Sequence, residues 1–180
     1  MNNITHSAAD QTPLNDFSNC HAGILSKLSV LHELPAWVEA AAKARVAAQE
    51  MLGFFELVMY EHHEEEERAL FPAVEAAAAA GDERARMVEL AQTLTHEHRE
   101  LEALWQQVQP ALKRVAKGQE VELPAEALAQ LVSRYQAHAR GEESSYLPLA
   151  HAILSREGAH MDALGLALHI RHRPPVVGYV

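Results

Sequence analysis

The chain has 180 residues and a formal charge of −10, from 25 acidic against 15 basic side chains. That is enough length for one domain with a real core, and the wrong sign for nucleic acid or an anionic membrane as partner. Ala, Leu and Glu dominate, while Gly, Pro and β-branched residues are sparse, so the chain reads as all-α. The single Cys20 excludes an intramolecular disulfide and fits a reducing compartment. Met1–Pro13 carries no apolar h-region, and no apolar run approaches the ~20 residues of a membrane span. The expectation is a cytoplasmic protein.

In chain order, residues 1–13 read as a flexible polar tail, with His6 a solvated residue of it. A first helix is expected from Leu14 or Asp16 to His32, stopped by Leu34-Pro35, with the stripe Leu14, Phe17, His21, Ile24, Leu28 and Leu31. A long helical segment follows from Ala36 to Ala79, weakened at Gly53 and kinked or restarted at Pro72. Its stripe passes through Leu52, Phe55, Val58 or Met59, His62, Glu66 and Leu70. Gly81-Asp82 closes it. The third helix starts at Glu83 and carries Met87, Leu94, His98, Leu101, Trp105 and Val108 to a stop at Gly118. The fourth has Leu128, Leu131, Tyr135, His138, Glu142, Tyr146 and Leu149 on one face and ends by Gly158. Residues 159–180 read as a short helix and a Pro174-Pro175 tail. Four long helices with short connections, over residues 14–158, favour an antiparallel up-down-up-down four-helix bundle.

Two stretches repeat. His62-His63-Glu64-Glu65-Glu66-Glu67-Arg68-Ala69-Leu70-Phe71-Pro72 has the frame of His138-Ala-Arg-Gly-Glu142-Glu143-Ser-Ser-Tyr146-Leu147-Pro148, with His and Pro ten residues apart in both. A charge run alone reads as a solvated face, but a solvated face does not need the same frame twice. The stripe His21, Ile24, Leu28, Leu31 likewise recurs as His98, Leu101, Trp105, Val108. The chain is therefore two similar helical hairpins, each offering a His and then His-x-x-x-Glu. One histidine on an apolar stripe is ordinary; one on each of four helices is not, because an unpaired imidazole is costly to bury.

Residues four apart on a helix share a face, offset by about 40°. His62 with Glu66, and His138 with Glu142, can each present a nitrogen and a carboxylate to one interior point. Two buried carboxylates repel unless protonated or neutralised by cations. Four imidazoles and two carboxylates exceed one tetrahedral zinc and fit two metals about 3.5–4 Å apart, bridged by the carboxylates. Mixed nitrogen and oxygen donors suit iron, with manganese or zinc as the alternatives, and no cysteine joins the set, which excludes an iron–sulfur cluster.

These motifs resemble the hemerythrin-like, HHE-type cation-binding family over roughly Asp16–Ser155. The resemblance implies a hemerythrin-like four-helix bundle with His21, His62, Glu66, His98, His138 and Glu142 as metal ligands. It also implies two non-haem iron ions, oxo- or hydroxo-bridged, and a small ligand such as dioxygen, nitric oxide or peroxide. Ferritin-like bundles use Glu-x-x-His instead; here the only such match is Glu157–His160, outside the repeat.

Oxygen-carrying hemerythrins use five His and two carboxylates, and four His are well supported here. Glu102 stands four residues after His98, where a carrier would have another His. Glu102, His63 and a water or hydroxide are the options for a seventh donor. His63 lies about 100° round from His62 and aligns with Ala139, which favours a supporting or surface place for it. Tyr135 reads as core and Cys20 as a small buried residue. Glu67 and Glu143 recur as orienting or interhelical groups, and Glu64 and Glu65 as solvated acids. His32, His96, His151, His160, His169 and His172 fall outside the set, and Phe17, Ile24, Phe55, Leu101 and Trp105 form its apolar walls. The expected function is binding or sensing of dioxygen or a related molecule, more a binding protein than a dedicated enzyme. An iron-handling or stress-protective protein of the iron–sulfur-cluster repair type, and a metal-stabilised interaction bundle, are the alternatives. No protein or redox partner is legible in the residues.

Overall fold

The computed structural model describes residues 13–156. His6 and the expected C-terminal helix, with His160, His169 and His172, lie outside the described residues, as does the side chain of Phe17. Every element among the described residues is helical, as the composition requires. The elements are α1 (Pro13–Phe54), a π-helical turn π1 (Phe55–Met59), α2 (Tyr60–Glu65), π2 (Glu66–Leu70), α3 (Phe71–Ala77), α4 (Asp82–Ala116), α5 (Ala125–Gly141), π3 (Glu142–Tyr146) and α6 (Leu147–Leu154). No described helix is long and apolar enough to cross a membrane.

The chain divides into two units at Val46/Ala47. In the first, α1 passes through Pro35 without a break, so the expected stop at Leu34-Pro35 is corrected. A proline inside a helix loses one hydrogen bond and crowds the carbonyl four residues back, here Leu31, at about 3 kcal/mol. The Ala-rich run after it is the strongest helix-forming stretch available. Between Val30 and Leu52 no Gly, Asn, Asp, Ser or Thr offers a turn. From Asn19 to Val46 the side chains are exposed, apart from half-buried Ala42. Cys20, expected in a core, is among the exposed ones.

The second unit packs the run from π1 to α3 against α4 and the run from α5 to α6. Gly81, with φ 98°, makes the turn into α4, and Glu83 accepts the Ala79 N–H at 2.7 Å. The far end of α4 closes with Gly118 at φ 69°: its N–H reaches the Val115 carbonyl at 2.8 Å, and Gln119 N–H reaches Arg114 at 2.9 Å. These two bonds satisfy carbonyls that the helix end would leave open, and the left-handed turn they need favours Gly.

Each acidic motif ends in a π-helical turn followed by proline: π2 runs into Phe71-Pro72, and π3 into Leu147-Pro148. The expected kink or restart at Pro72 takes this form. Widening the preceding turn relieves the clash between the proline ring and the carbonyl four residues back while the helix continues. The repeated His-to-Pro spacing thus fixes a repeated backbone irregularity that begins at Glu66 and Glu142.

Two apolar clusters flank the motifs. One gathers Phe71, Val74, Met87, Leu94, Tyr146 and Ile153; the other holds Met59, Leu101, Leu104, Trp105 and Leu131, with Phe55 against it. Along every packed run the histidine falls between a residue of one cluster and a residue of the other: His63 between Met59 and Leu70, His98 between Leu94 and Leu101, His138 between Leu131 and Tyr146. The polar layer is therefore closed above and below by packed hydrocarbon.

A candidate metal centre

His63, His98 and His138 are buried, as are Glu66 and Glu142. One donor atom from each of the three histidines lies within 4.8 Å of the others, and His62, Glu66 and Glu142 form a second such group. His98 Nε2 stands 3.2 Å from Glu66 Oε2, and His62 Nε2 3.3 Å from Glu66 Oε1. Glu66 thus faces a histidine of each group. His62 is half-buried, its side chain 37% exposed.

The place expected for His63, supporting or at the surface, is corrected: it is 1% exposed and its ring stacks on His98 at 3.9 Å. The reason lies in the angle to Glu66 rather than to His62. His62 falls about 40° to one side of Glu66 and His63 about 60° to the other, so one carboxylate has an imidazole on each flank. The Pro-anchored repeat concealed this, because its second copy has Ala139 at the matching position.

Behind each buried imidazole stands a carboxylate. His63 Nδ1 donates to Glu102 at 3.1 Å, His98 Nδ1 to Glu67 at 2.8 Å, and His138 Nδ1 to Glu97 at 2.8 Å. A carboxylate only accepts, so each Nδ1 carries a proton and each Nε2 faces inward. Arg99 joins two of these supports, donating to Glu102 at 2.9 Å and also to Glu67. Glu102 therefore faces the outer nitrogen of His63. Glu67 has the orienting place expected for it, while Glu143 is exposed and Glu65 is buried, the reverse of their expected surroundings. Glu97 was missed altogether; nothing in its spacing separates it from its acidic neighbours.

The three Nε2 atoms are buried without a hydrogen-bond partner. Leaving a buried polar atom unpaired costs about 1–3 kcal/mol. A cation can serve all three at once. Burial, with the neighbouring His98 and His62, lowers the His63 pKa to about 3, so it stays neutral and able to ligate at ordinary pH. Burial and the hydrogen bond with Glu66 push Glu142 well above the usual carboxylate range. Against its own burial, Glu66 is held low by His98 and Glu142. The two acids thus share one proton where a cation would neutralise both. Burial also raises Tyr135 to about 12 and Tyr146 further, followed in each case by the two glutamates.

Of the walls named from sequence, Leu101 and Trp105 are buried and Phe55 is half-buried, stacked on Trp105 at 4.9 Å. Phe71 lies against His98 and Tyr146. Ile24 and His21, in the first unit, are exposed, and His21 belongs to neither donor group. His32, His96 and His151 are exposed.

No curated protein and no solved structure matches the chain. The family model of the hemerythrin HHE cation binding domain matches residues 12–150, a span that holds every donor described above. With imidazoles and carboxylates converging as a cation requires, the chain belongs to the hemerythrin HHE cation-binding family and is a metal-binding protein.

Proposed function

We propose that the protein holds a pair of non-haem iron ions and uses them to bind dioxygen or a related small molecule reversibly. One observation carries this reading: the inward Nε2 atoms of His63, His98 and His138 converge beside a proton-sharing Glu66–Glu142 pair. Three imidazoles would hold one iron. His62, together with His21 of a fourth helix that completes the bundle over residues 14–158, would hold the other. Glu66 and Glu142 would bridge the two. That makes five histidines and two carboxylates, one donor more than the residues alone supported, and leaves one metal position open to a ligand. The iron pair, when bound, supplies the electrons and the open position that small-ligand binding needs.

The chain's own residues do the rest. Glu102, Glu67 and Glu97 fix the three ring orientations and tautomers. Phe71, Leu101 and Trp105 limit water at the layer. The proton between Glu66 and Glu142 leaves when a cation binds.

Metal analysis after anaerobic reconstitution, followed by absorption spectra with and without oxygen, tests the reading. About two irons per chain are expected, with near-ultraviolet and visible bands that appear on oxygenation and vanish on deoxygenation. Bands that form irreversibly would defeat reversible binding. Less than about one iron per chain would defeat the iron pair itself.

A further inference from the structure

We infer that the hydroxyl of Tyr146 donates a hydrogen bond to the small ligand held at the metal layer, and so selects ligands that carry a negatively charged acceptor atom. The inference rests on the iron-pair reading and adds to it a residue that determines which ligand is kept.

The internal repeat supplies the contrast. Tyr146 follows His138 by eight residues, and its counterpart, eight residues after His62, is Leu70. Both side chains are buried in the same apolar cluster. The cluster therefore accepts plain hydrocarbon at this register in one motif and holds a phenol in the other. Packing gains nothing from the hydroxyl, because a buried polar group without a partner is a cost.

That cost is present here. Tyr146 is 1% exposed, and its hydroxyl has no hydrogen-bond partner. The ring is held in place: it meets Phe71 edge to face at 5.0 Å, and Phe71 in turn lies nearly parallel to His98 at 6.2 Å. Tyr146 also stands at the far end of the π-helical turn that begins at Glu142. Burial first, then the charges of Glu66, Glu142 and Glu75, push its pKa up, so the phenol keeps its proton and remains a donor. The hydroxyl thus lies within electrostatic reach of the carboxylate pair while bonded to neither carboxylate.

The other donors beside the layer are committed elsewhere. Nδ1–H of His63, His98 and His138 is spent on Glu102, Glu67 and Glu97, and Arg99 on two of those acids. Trp105 Nε1 is buried and unpartnered as well, but it belongs to the cluster on the opposite side. On the Tyr146 side the wall is hydrocarbon, with Leu70, Phe71 and Leu94 in it. A ligand with a charged atom turned to this side therefore meets one free O–H. A ligand without an acceptor leaves that O–H unpaired, and a site built around a buried donor rejects such a ligand.

Tyr146→Phe, which removes the hydroxyl and keeps the ring, tests the inference. Azide, a small anion, is the probe, titrated into the oxidised, iron-loaded protein. Wild type is expected to bind azide about 10–100-fold more tightly than the variant, the range of a hydrogen bond to a charged acceptor. Iron content is expected to be equal in the two. The infrared band of bound azide is expected to move in heavy water for wild type and to stay in place for the variant. Without metal, the two proteins are expected to share one urea midpoint, since the hydroxyl makes no bond within the fold. Azide affinities within about twofold of each other, or a band that moves equally in both, overturn the inference. So does a variant that loses iron, which would make the hydroxyl a support for Glu142. A metal-free variant with a lower urea midpoint would make it a structural group, with the same consequence. Wild-type protein that takes up no iron would defeat the iron-pair reading and the inference together, whereas equal azide binding by two fully loaded proteins defeats the inference alone.

Discussion

At the scale of single residues, the centre is built from atoms whose needs are not met within the protein. A buried nitrogen without a partner is a cost, and three of them in one place are a cost that only a ligand removes. The supports behind them are as informative. Arg99 touches no donor atom, yet it holds Glu67 and Glu102, which in turn hold His98 and His63. Arg99→Ala is expected to leave the helices intact and weaken metal affinity about 10–100-fold, the usual effect of removing such a support; competition with a chelator of known affinity measures it. Titration gives a second prediction at this scale. His63 is depressed in the fold to about 3 from 6.5, so its contribution to stability is present above pH 6.5 and is lost as pH falls toward 3. His98 and Glu142 are raised in the fold, so theirs is present below their ordinary values and is lost as pH rises. Metal-free protein should therefore weaken as pH falls from 6.5 toward 3, through His63, and also as pH rises above 4.5 for Glu142 and above 6.5 for His98. Saturating metal should remove the alkaline loss by displacing the Glu142 proton. Urea midpoints across pH, with and without metal, would show it.

At the scale of elements, the sequence announces helices more clearly than it announces where they end. Gly118 stops its helix as expected, and Gly81 makes the turn into α4 after an extended Ala78 has ended α3; each glycine has a positive φ that other residues resist. Pro35 does not stop α1. Its effect is local and worth about one lost hydrogen bond, while a chain reversal also needs residues that accept a turn, and none are near. Pro72 and Pro148 act differently again, each following a π-helical turn that begins at a buried glutamate, Glu66 or Glu142. The wall of the layer is an element-scale matter too. Trp105 is buried to 1% exposure and stacks on Phe55, so Trp105→Ala should cost about 3–5 kcal/mol. The urea midpoint should fall with the slope unchanged. A loss below ~1 kcal/mol would mean that this cluster is not the roof of the site.

At the scale of the whole molecule, metal and fold are linked. A cation that binds the folded chain and not the unfolded one stabilises by about 2.7 kcal/mol at a hundredfold excess over its dissociation constant. Chelation should lower the thermal midpoint, and restored metal should recover it. An unchanged midpoint would show that the donors stay apart when the metal is bound. The two units also divide the readings made from sequence. His62, Glu66, His98, His138 and Glu142 lie together in the second unit, whereas His21 stands exposed in the first.

The all-α class, the family, and the convergence of two His-x-x-x-Glu motifs with His98 were legible in the residues. Helical periodicity and the repeated frame are local properties, set by spacing along one helix. His63 and Glu102 were legible only as alternatives, and Glu97 not at all. Which flank of Glu66 is buried, and which acid meets which Nδ1, depends on a neighbouring helix. A stripe shows that a face must be covered, because apolar surface in water is costly. Where the chain turns is a different matter, and only the tertiary structure shows that α1 runs on through Pro35.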